Sequence, residues 1–300
     1  DRIPGGRTRR SCGLMTIKTA GQWLRRATER IAGISDSPCL DAEVLLRAIC
    51  MLDRTALAIA PEAPLKIEQL KRLENLLVRR AQGEPVAYLL EEKEFWSLTL
   101  WVTRDALIPR EETELLVACA LDRIEDTTAV QVLDLGTGSG AIALALASER
   151  PAAQITATDV SLRALEVARV NARTHGLQNV NFRAGHWLNA VPEQCYSLIA
   201  CNPPYVAYED PHLETCHTKY EPQLALISGK DGMEALQQII PAAPHALLPG
   251  GWLVLEHGHQ QESAVDRLLH QARFDSIVHY CDTSGKSRVS AARVCESFSE

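Results

Sequence analysis

Nowhere in these 300 residues is there a C-x-x-C, although nine cysteines are present, at positions 12, 39, 50, 119, 195, 201, 216, 281 and 295. With no pair closer than six positions, neither a zinc site nor a dithiol redox motif is spelled out. The odd count of scattered thiols fits a reducing cytoplasm, and most of them read as small buried apolar residues. No apolar run approaches the ~18 residues that a membrane-spanning helix needs, so a soluble protein is expected, with no membrane partner. A basic surplus is missing too. The formal net charge is -7, which argues against a surface built to neutralise phosphates, and stable nucleic-acid binding is not expected. Internal repeats and low-complexity tracts are also absent from the sequence.

What is present is a large apolar fraction, 46%, enough for one large domain and a small one. Residues 1–14 are basic but broken by Pro4-Gly5-Gly6, and Met15 looks like a natural start, so they read as an upstream segment outside the fold. Residues 15–82 read as a small helical domain. Trp23, Leu24, Ala27 and Ile31 share one face at helical period, as do Leu70, Leu73 and Leu77, and Asp41 to Cys50 forms a further amphipathic helix. Lys71, Arg72, Arg79 and Arg80 are expected on a solvated helix face. Residues 83–111 form a linker in which Phe95, Leu98, Leu100 and Val102 predict a β-hairpin.

From 112 to 300 strand and helix alternate, as in a doubly wound α/β fold with an open, mostly parallel sheet. Strands are expected at 130–135, 154–159, 180–184, 196–201 and 251–256, with two more near the end. Helices are expected at 141–150, from Ser161 to Gly176, at 233–247 and at 260–274.

Gly136-Thr137-Gly138-Ser139-Gly140 follows the first of these strands and opens a helix, so its glycines permit a tight turn and close approach of a ligand. Asp159 ends the next strand, 19 residues beyond Gly140, where a carboxylate can accept both hydroxyls of a ribose. This much fits a dinucleotide or S-adenosylmethionine equally. After the fourth strand stands Asn202-Pro203-Pro204-Tyr205, which offers an amide oxygen, a carbonyl and an aromatic face. That set suits a planar amino group and has no use in hydride transfer.

These blocks resemble the HemK/PrmC family, the protein-(glutamine-N5) methyltransferases of class 1 peptide chain release factors. The likeness extends over about residues 16–294 and rests also on 84–89 (EPVAYL), Glu94-Phe95-Trp96, Leu107-Ile108-Pro109-Arg110, 134–143, Tyr220-Glu221-Pro222 and Leu255-Glu256-His257-Gly258. It implies a Rossmann-like class I methyltransferase domain carrying an N-terminal substrate-recognition domain. It also implies S-adenosyl-L-methionine as cofactor, held by Gly136, Thr137, Gly138, Ser139, Gly140, Asp159, His186, Trp187 and Asn202. Asn202, Pro203, Pro204 and Tyr205 would bind the substrate and carry the chemistry. The partner would be a class 1 release factor and the enzyme a cytoplasmic monomer. Three places depart from the family pattern: His186 stands where Asp is usual, Glu111-Glu112 where Pro-Asp is usual, and Cys216-His217 where Gly-Asp is common.

A carboxamide nitrogen is a weak nucleophile, because its lone pair is delocalised into the carbonyl. Acceptors at Asn202 and Pro203 would hold its two N–H groups and aim that lone pair. The same pair of acceptors also fits an exocyclic amino group of adenine or guanine, which leaves a nucleic-acid N-methyltransferase as the alternative. A cofactor-binding interaction module without turnover is a third reading, against which the intact glycines and Asn-Pro-Pro-Tyr argue. His257-x-His259 has no third ligand beside it, so no metal is expected. Tyr220-Glu221-Pro222 reads as a structural clasp.

Overall fold

The computed structural model describes residues 17–125, 129–192, 195–214 and 218–295; the expected upstream segment 1–14 and Cys216-His217 lie outside the described residues. The chain divides into two compact units, one ending at Leu90 and one beginning at Glu91.

The first unit is five helices: α1 (Ala20–Ile31), α2 (Pro38–Cys50), α3 (Arg54–Ile59), α4 (Ile67–Arg80) and α5 (Val86–Leu90). Thr19 caps α1 by accepting from the Gln22 amide, and Asp53 caps α3 by accepting from that of Ala56. The apolar stripes meet in one core of Trp23, Ala27, Ile31, Leu45, Leu46, Leu70, Leu73 and Leu77. The basic face of α4 is a correction. Lys71 and Arg72 are exposed, but Arg80 is buried with its Nε 2.8 Å from Asp41 Oδ2, and Arg79 grips Glu84 through two bonds of 2.8 Å. The helical period explains it, since Arg80 follows Leu73 and Leu77 at the spacing of the buried stripe.

The second unit opens with the hairpin β1 (Glu92–Phe95) and β2 (Leu98–Trp101), whose two-residue turn puts Trp96 and Ser97 at positive φ. Trp96 donates its backbone amide to Glu114 and its indole N–H to Glu149, and Asn171 bonds both the N–H and C=O of Trp101. Then follow α6 (Thr113–Leu121), β3 (Gln131–Leu135), α7 (Ala141–Glu149), β4 (Gln154–Asp159), α8 (Leu162–Thr174), β5 (Val180–Ala184) and β6 (Tyr196–Cys201). The rest is α9 (Glu234–Ala242), β7 (Leu247–Glu256), α10 (Glu262–Gln271), β8 (Phe274–Cys281) and β9 (Ser287–Val294).

The seven-stranded sheet runs β5-β4-β3-β6-β7-β9-β8, parallel from β5 to β7, with β9 antiparallel to both its neighbours. Ser161 caps α8 by accepting from the Ala164 amide, as its position suggests. The expected helix 233–247 ends early. Pro241 and Pro244 lack the N–H that a continuing helix would use, so the chain tightens into a 3-10 turn at Ala243–Ala246 and β7 begins at Leu247.

The cysteines are a second correction. Of the seven described, all free, only Cys119 and Cys201 are buried, while Cys39, Cys195 and Cys281 are exposed. Those three sit at the ends of elements: Cys39 in the first turn of α2, Cys195 just before β6 and Cys281 as the last residue of β8. No helix among the described residues is long and apolar enough to cross a membrane.

Candidate active site

The sheet reverses its winding between β3 and β6, and a crevice opens beyond the carboxyl ends of these strands, the usual ligand position in such folds. There a cavity of about 290 Å³ is lined by Gly136 and Gly138 after β3, Asp159 at the end of β4, His186 and Trp187 after β5, and Asn202 and Pro204 after β6. Asp105, Leu107, Ser228 and Glu234 line it as well.

The glycine loop has a conformation few other residues tolerate. Gly136, Gly138 and Gly140 lie at φ 72°, 57° and 90°. A Cβ on Gly136 would come within 3.4 Å of the Trp187 ring, whereas one on Gly138 would meet nothing within 4 Å. Thr137, Ser139 and Gly140 face the protein instead. Thr137 donates its amide to the Thr158 carbonyl at 2.8 Å, the Ser139 carbonyl accepts from Asn171 at 2.9 Å, and a Cβ on Gly140 would crowd Leu144 and Ala168. None of the three lines the cavity, and these contacts hold the shape of the loop.

Asp159 is fixed by the backbone. Its Oδ2 accepts from Gly138 N at 2.9 Å and its Oδ1 from Ser161 N at 2.8 Å. Burial pushes its carboxyl up and these amides oppose the shift. Each oxygen keeps a lone pair, so the carboxylate can still take two hydroxyls. Asp134 of β3 is fully buried, and burial pushes its carboxyl up to about 7, opposed by the bond that Oδ2 accepts from the Ala143 amide at 3.2 Å. Trp187 reaches the cavity from a left-handed backbone position, φ 46°, with the His186 ring against it edge-on at 5.4 Å. A flat aromatic wall, a hydroxyl-accepting carboxylate and an open glycine floor fit an adenosine-bearing cofactor.

Asn202 is tied by its nitrogen. Nδ2 donates to Thr113 Oγ1 at 3.1 Å, and among the described residues Oδ1 accepts nothing. Thr113 in turn donates to Glu256 Oε2 at 2.7 Å, and the Tyr205 hydroxyl donates to Oε1 of the same carboxylate at 3.1 Å. Burial first and the Glu256 charge second push the Tyr205 hydroxyl well above its usual range. Pro203 is buried, and neither it nor Tyr205 lines the cavity. The clasp expected at 220–222 is present: Glu221 is buried, accepting from the Ile108 amide and from Arg110 at 2.5 Å. His257 is buried as well, 2.9 Å from Ser290 Oγ and 3.0 Å from the Gly258 carbonyl.

Sequence reasoning left Thr113, Glu256 and Gln261 without roles. Gln261 Nε2 donates to the carbonyls of Tyr205 and Gly232, and its Oε1 accepts from Gly258 N. The one signal available was Glu256 within Leu255-Glu256-His257-Gly258, a block quoted for its resemblance alone.

This sheet order, with a glycine loop, a ribose-type carboxylate and Asn-Pro-Pro-Tyr at one crevice, is that of a class I methyltransferase. The "Methyltransferase small domain" profile matches residues 111–219, and that of the "PrmC N-terminal domain" matches 22–90. A methyltransferase from Pyrococcus furiosus, 18% identical, has the same fold with a TM-score of 0.51 over 75% of this chain and 98% of its own. The release factor glutamine methyltransferase of Xylella fastidiosa strain Temecula1 is 46% identical over 92% of this chain and 98% of its own. That of Coxiella burnetii strain RSA 493 is 42% identical over 93% and 99%. The chain belongs to the release factor glutamine methyltransferase family.

Proposed function

We propose that this protein transfers a methyl group from S-adenosyl-L-methionine to the side-chain amide nitrogen of the glutamine in the Gly-Gly-Gln motif of class 1 peptide chain release factors. The observation that carries the reading is the Asn202 amide: its nitrogen is occupied by Thr113, and its oxygen is left as an acceptor at a residue lining the cavity. A glutamine amide brings the N–H this acceptor needs. A glutamate carboxylate does not, and would leave the acceptor unpaired.

Gly136, Gly138, Asp159, His186 and Trp187 hold the cofactor, with Asp159 on the ribose and Trp187 along the adenine. Bound there, the cofactor supplies an electrophilic methyl group on a positively charged sulfur. Asn202 Oδ1 and the Pro203 carbonyl accept the two N–H bonds of the substrate amide, which fixes the nitrogen and aims its lone pair. Pro203 and Pro204 carry no N–H of their own to compete for these acceptors. Tyr205 packs against the amide plane, its ring held by the bond to Glu256. No strong base is needed before transfer, and the proton leaves afterwards to water.

The helical region 15–82 selects the release factor, the segment 83–111 links it to the catalytic region 112–300, and the enzyme acts as a cytoplasmic monomer without stable nucleic-acid binding. The net charge of -7 supports the last point, and exposed free thiols at Cys39, Cys195 and Cys281 support a reducing compartment. The test is incubation with labelled S-adenosylmethionine and a purified release factor, repeated with the motif glutamine replaced by alanine. Label that persists after the replacement defeats the glutamine assignment, and label found on nucleic acid instead favours the exocyclic-amine alternative.

A further inference from the structure

Two strands and one helix end converge on a hydrogen-bond chain whose direction is fixed. β6 and β7 are parallel neighbours with Cys201 opposite Leu255, so the next residue of each, Asn202 and Glu256, emerge side by side. Thr113, the first residue of α6, bonds to both of them. Thr113 and Glu256 are both buried, in a molecule whose other cores are overwhelmingly apolar. An ionised carboxylate only accepts, and both Glu256 oxygens are taken by hydroxyl donors, one from Thr113 and one from Tyr205. Thr113 has one hydroxyl proton. Once it is given to Glu256, the oxygen can only accept, and the Asn202 group facing it must be the NH2.

We propose that Thr113 and Glu256 are positioning residues that set the polarity of the Asn202 amide, holding its oxygen free for an N–H-bearing acceptor substrate. Through them the site's preference for a carboxamide over a carboxylate is set by residues that do not touch the substrate. With the direction lost, Asn202 can turn over and offer NH2, which suits a carboxylate. Burial pushes the Glu256 carboxyl up, while the two hydroxyls and the Arg288 charge oppose that shift and favour the ionised, accepting form. The inference rests on the reading that Asn202 clamps the substrate amide.

The experiment uses the full chain with a release factor substrate and three variants, Thr113→Val, Thr113→Ser and Glu256→Gln, beside Asn202→Ala. Thr113→Val is close in shape and removes the hydroxyl, and it is expected to lower kcat about tenfold or more while KM for both substrates stays within about threefold. Thr113→Ser restores the hydroxyl and should recover most of that loss. Glu256→Gln can donate as well as accept, so it unlocks the direction without emptying the site, and a kcat loss of about fivefold or more is expected. Inhibition by a release factor with glutamate in place of the motif glutamine should strengthen in Thr113→Val, a change that loosened packing alone does not produce. Should Thr113→Val not fold, Glu256→Gln carries the same comparison. Undiminished kcat and unchanged glutamate inhibition in Glu256→Gln, with Asn202→Ala inactive, overturns the proposed relay and leaves the clamp standing. Full activity in Asn202→Ala overturns the clamp itself.

Discussion

Gln261 holds the carbonyl of Tyr205 at 3.1 Å through the same Nε2 that donates to Gly232 at 3.2 Å. Three loops therefore meet at one side chain, because its oxygen also accepts from Gly258 N at 2.8 Å. The Asn-Pro-Pro-Tyr segment is pinned at Tyr205 from both ends of the residue, by Gln261 at the backbone and by Glu256 at the hydroxyl.

Replacing Gln261 by Ala strips partners from two carbonyls and an amide, and the cost is about 1–3 kcal/mol of stability. A urea unfolding curve measures it. Turnover falls as well, since Asn202 is only three residues from the released carbonyl. A variant with wild-type kcat would show that the segment keeps its shape without this bond.

Asp41→Ala leaves the buried Arg80 guanidinium without its carboxylate partner and also removes the acceptor of the Ser35 hydroxyl, 2.7 Å away. An abandoned buried charge costs about 3–5 kcal/mol, whereas Arg80→Met leaves behind the Asp41 carboxylate, which reaches solvent and keeps its bond from Ser35, and so costs less. Denaturant melts of the two variants should differ in that order. Equal midpoints would mean that water reaches Arg80 on mutation.

The Asp134 carboxyl sits at about 7 in the folded protein, against an ordinary value of 3.8. Between these values the unfolded chain has lost its proton and the native state has kept it, so native stability falls as pH rises through this window and levels off above it. Asp134→Asn has no proton to lose. Relative to wild type it should gain stability between about pH 5 and about pH 8, on the order of 2 kcal/mol. Parallel melts at the two pH values test this, and a constant difference between the two proteins would count against it.

Asp159→Ala removes an acceptor that two backbone amides hold in place. Two lost charge-assisted bonds predict an affinity for S-adenosylmethionine weaker by about 100-fold, at about 1.5 kcal/mol each. Isothermal titration measures it directly, with release factor binding as the control that stays unchanged.

The parts of this fold that were legible in the sequence are those written locally. Val180–Ala184 and Tyr196–Cys201 lie where the strand pattern puts them, and Ser161 caps its helix because side chain and amide are three residues apart. The place of Asp159 at the cavity wall was readable from its distance to the glycine loop. The charge of Arg80 points to solvent, but its place on the stripe of Leu73 and Leu77 decides its burial. The contact of Thr113 with Glu256 was invisible for a different reason: they are 143 positions apart, and only the pairing of β6 with β7 and the placement of α6 bring them together. The early end of α9 is written in Pro241 and Pro244, whose missing donors outweigh the apolar pattern that runs on to residue 247.

The pairing of Cys201 with Leu255 carries a consequence for how such a chain can change. Strand residues face alternate sides, so a single inserted or deleted residue within β6 or β7 would send Asn202 and Glu256 to opposite faces of the sheet. Side chains along both strands can be exchanged for others of similar volume at modest cost. Sequence drift is thus tolerated where length drift is not. Viable gains and losses of residues should fall in the connections around the sheet, and the span from each paired residue to its active neighbour should stay at one.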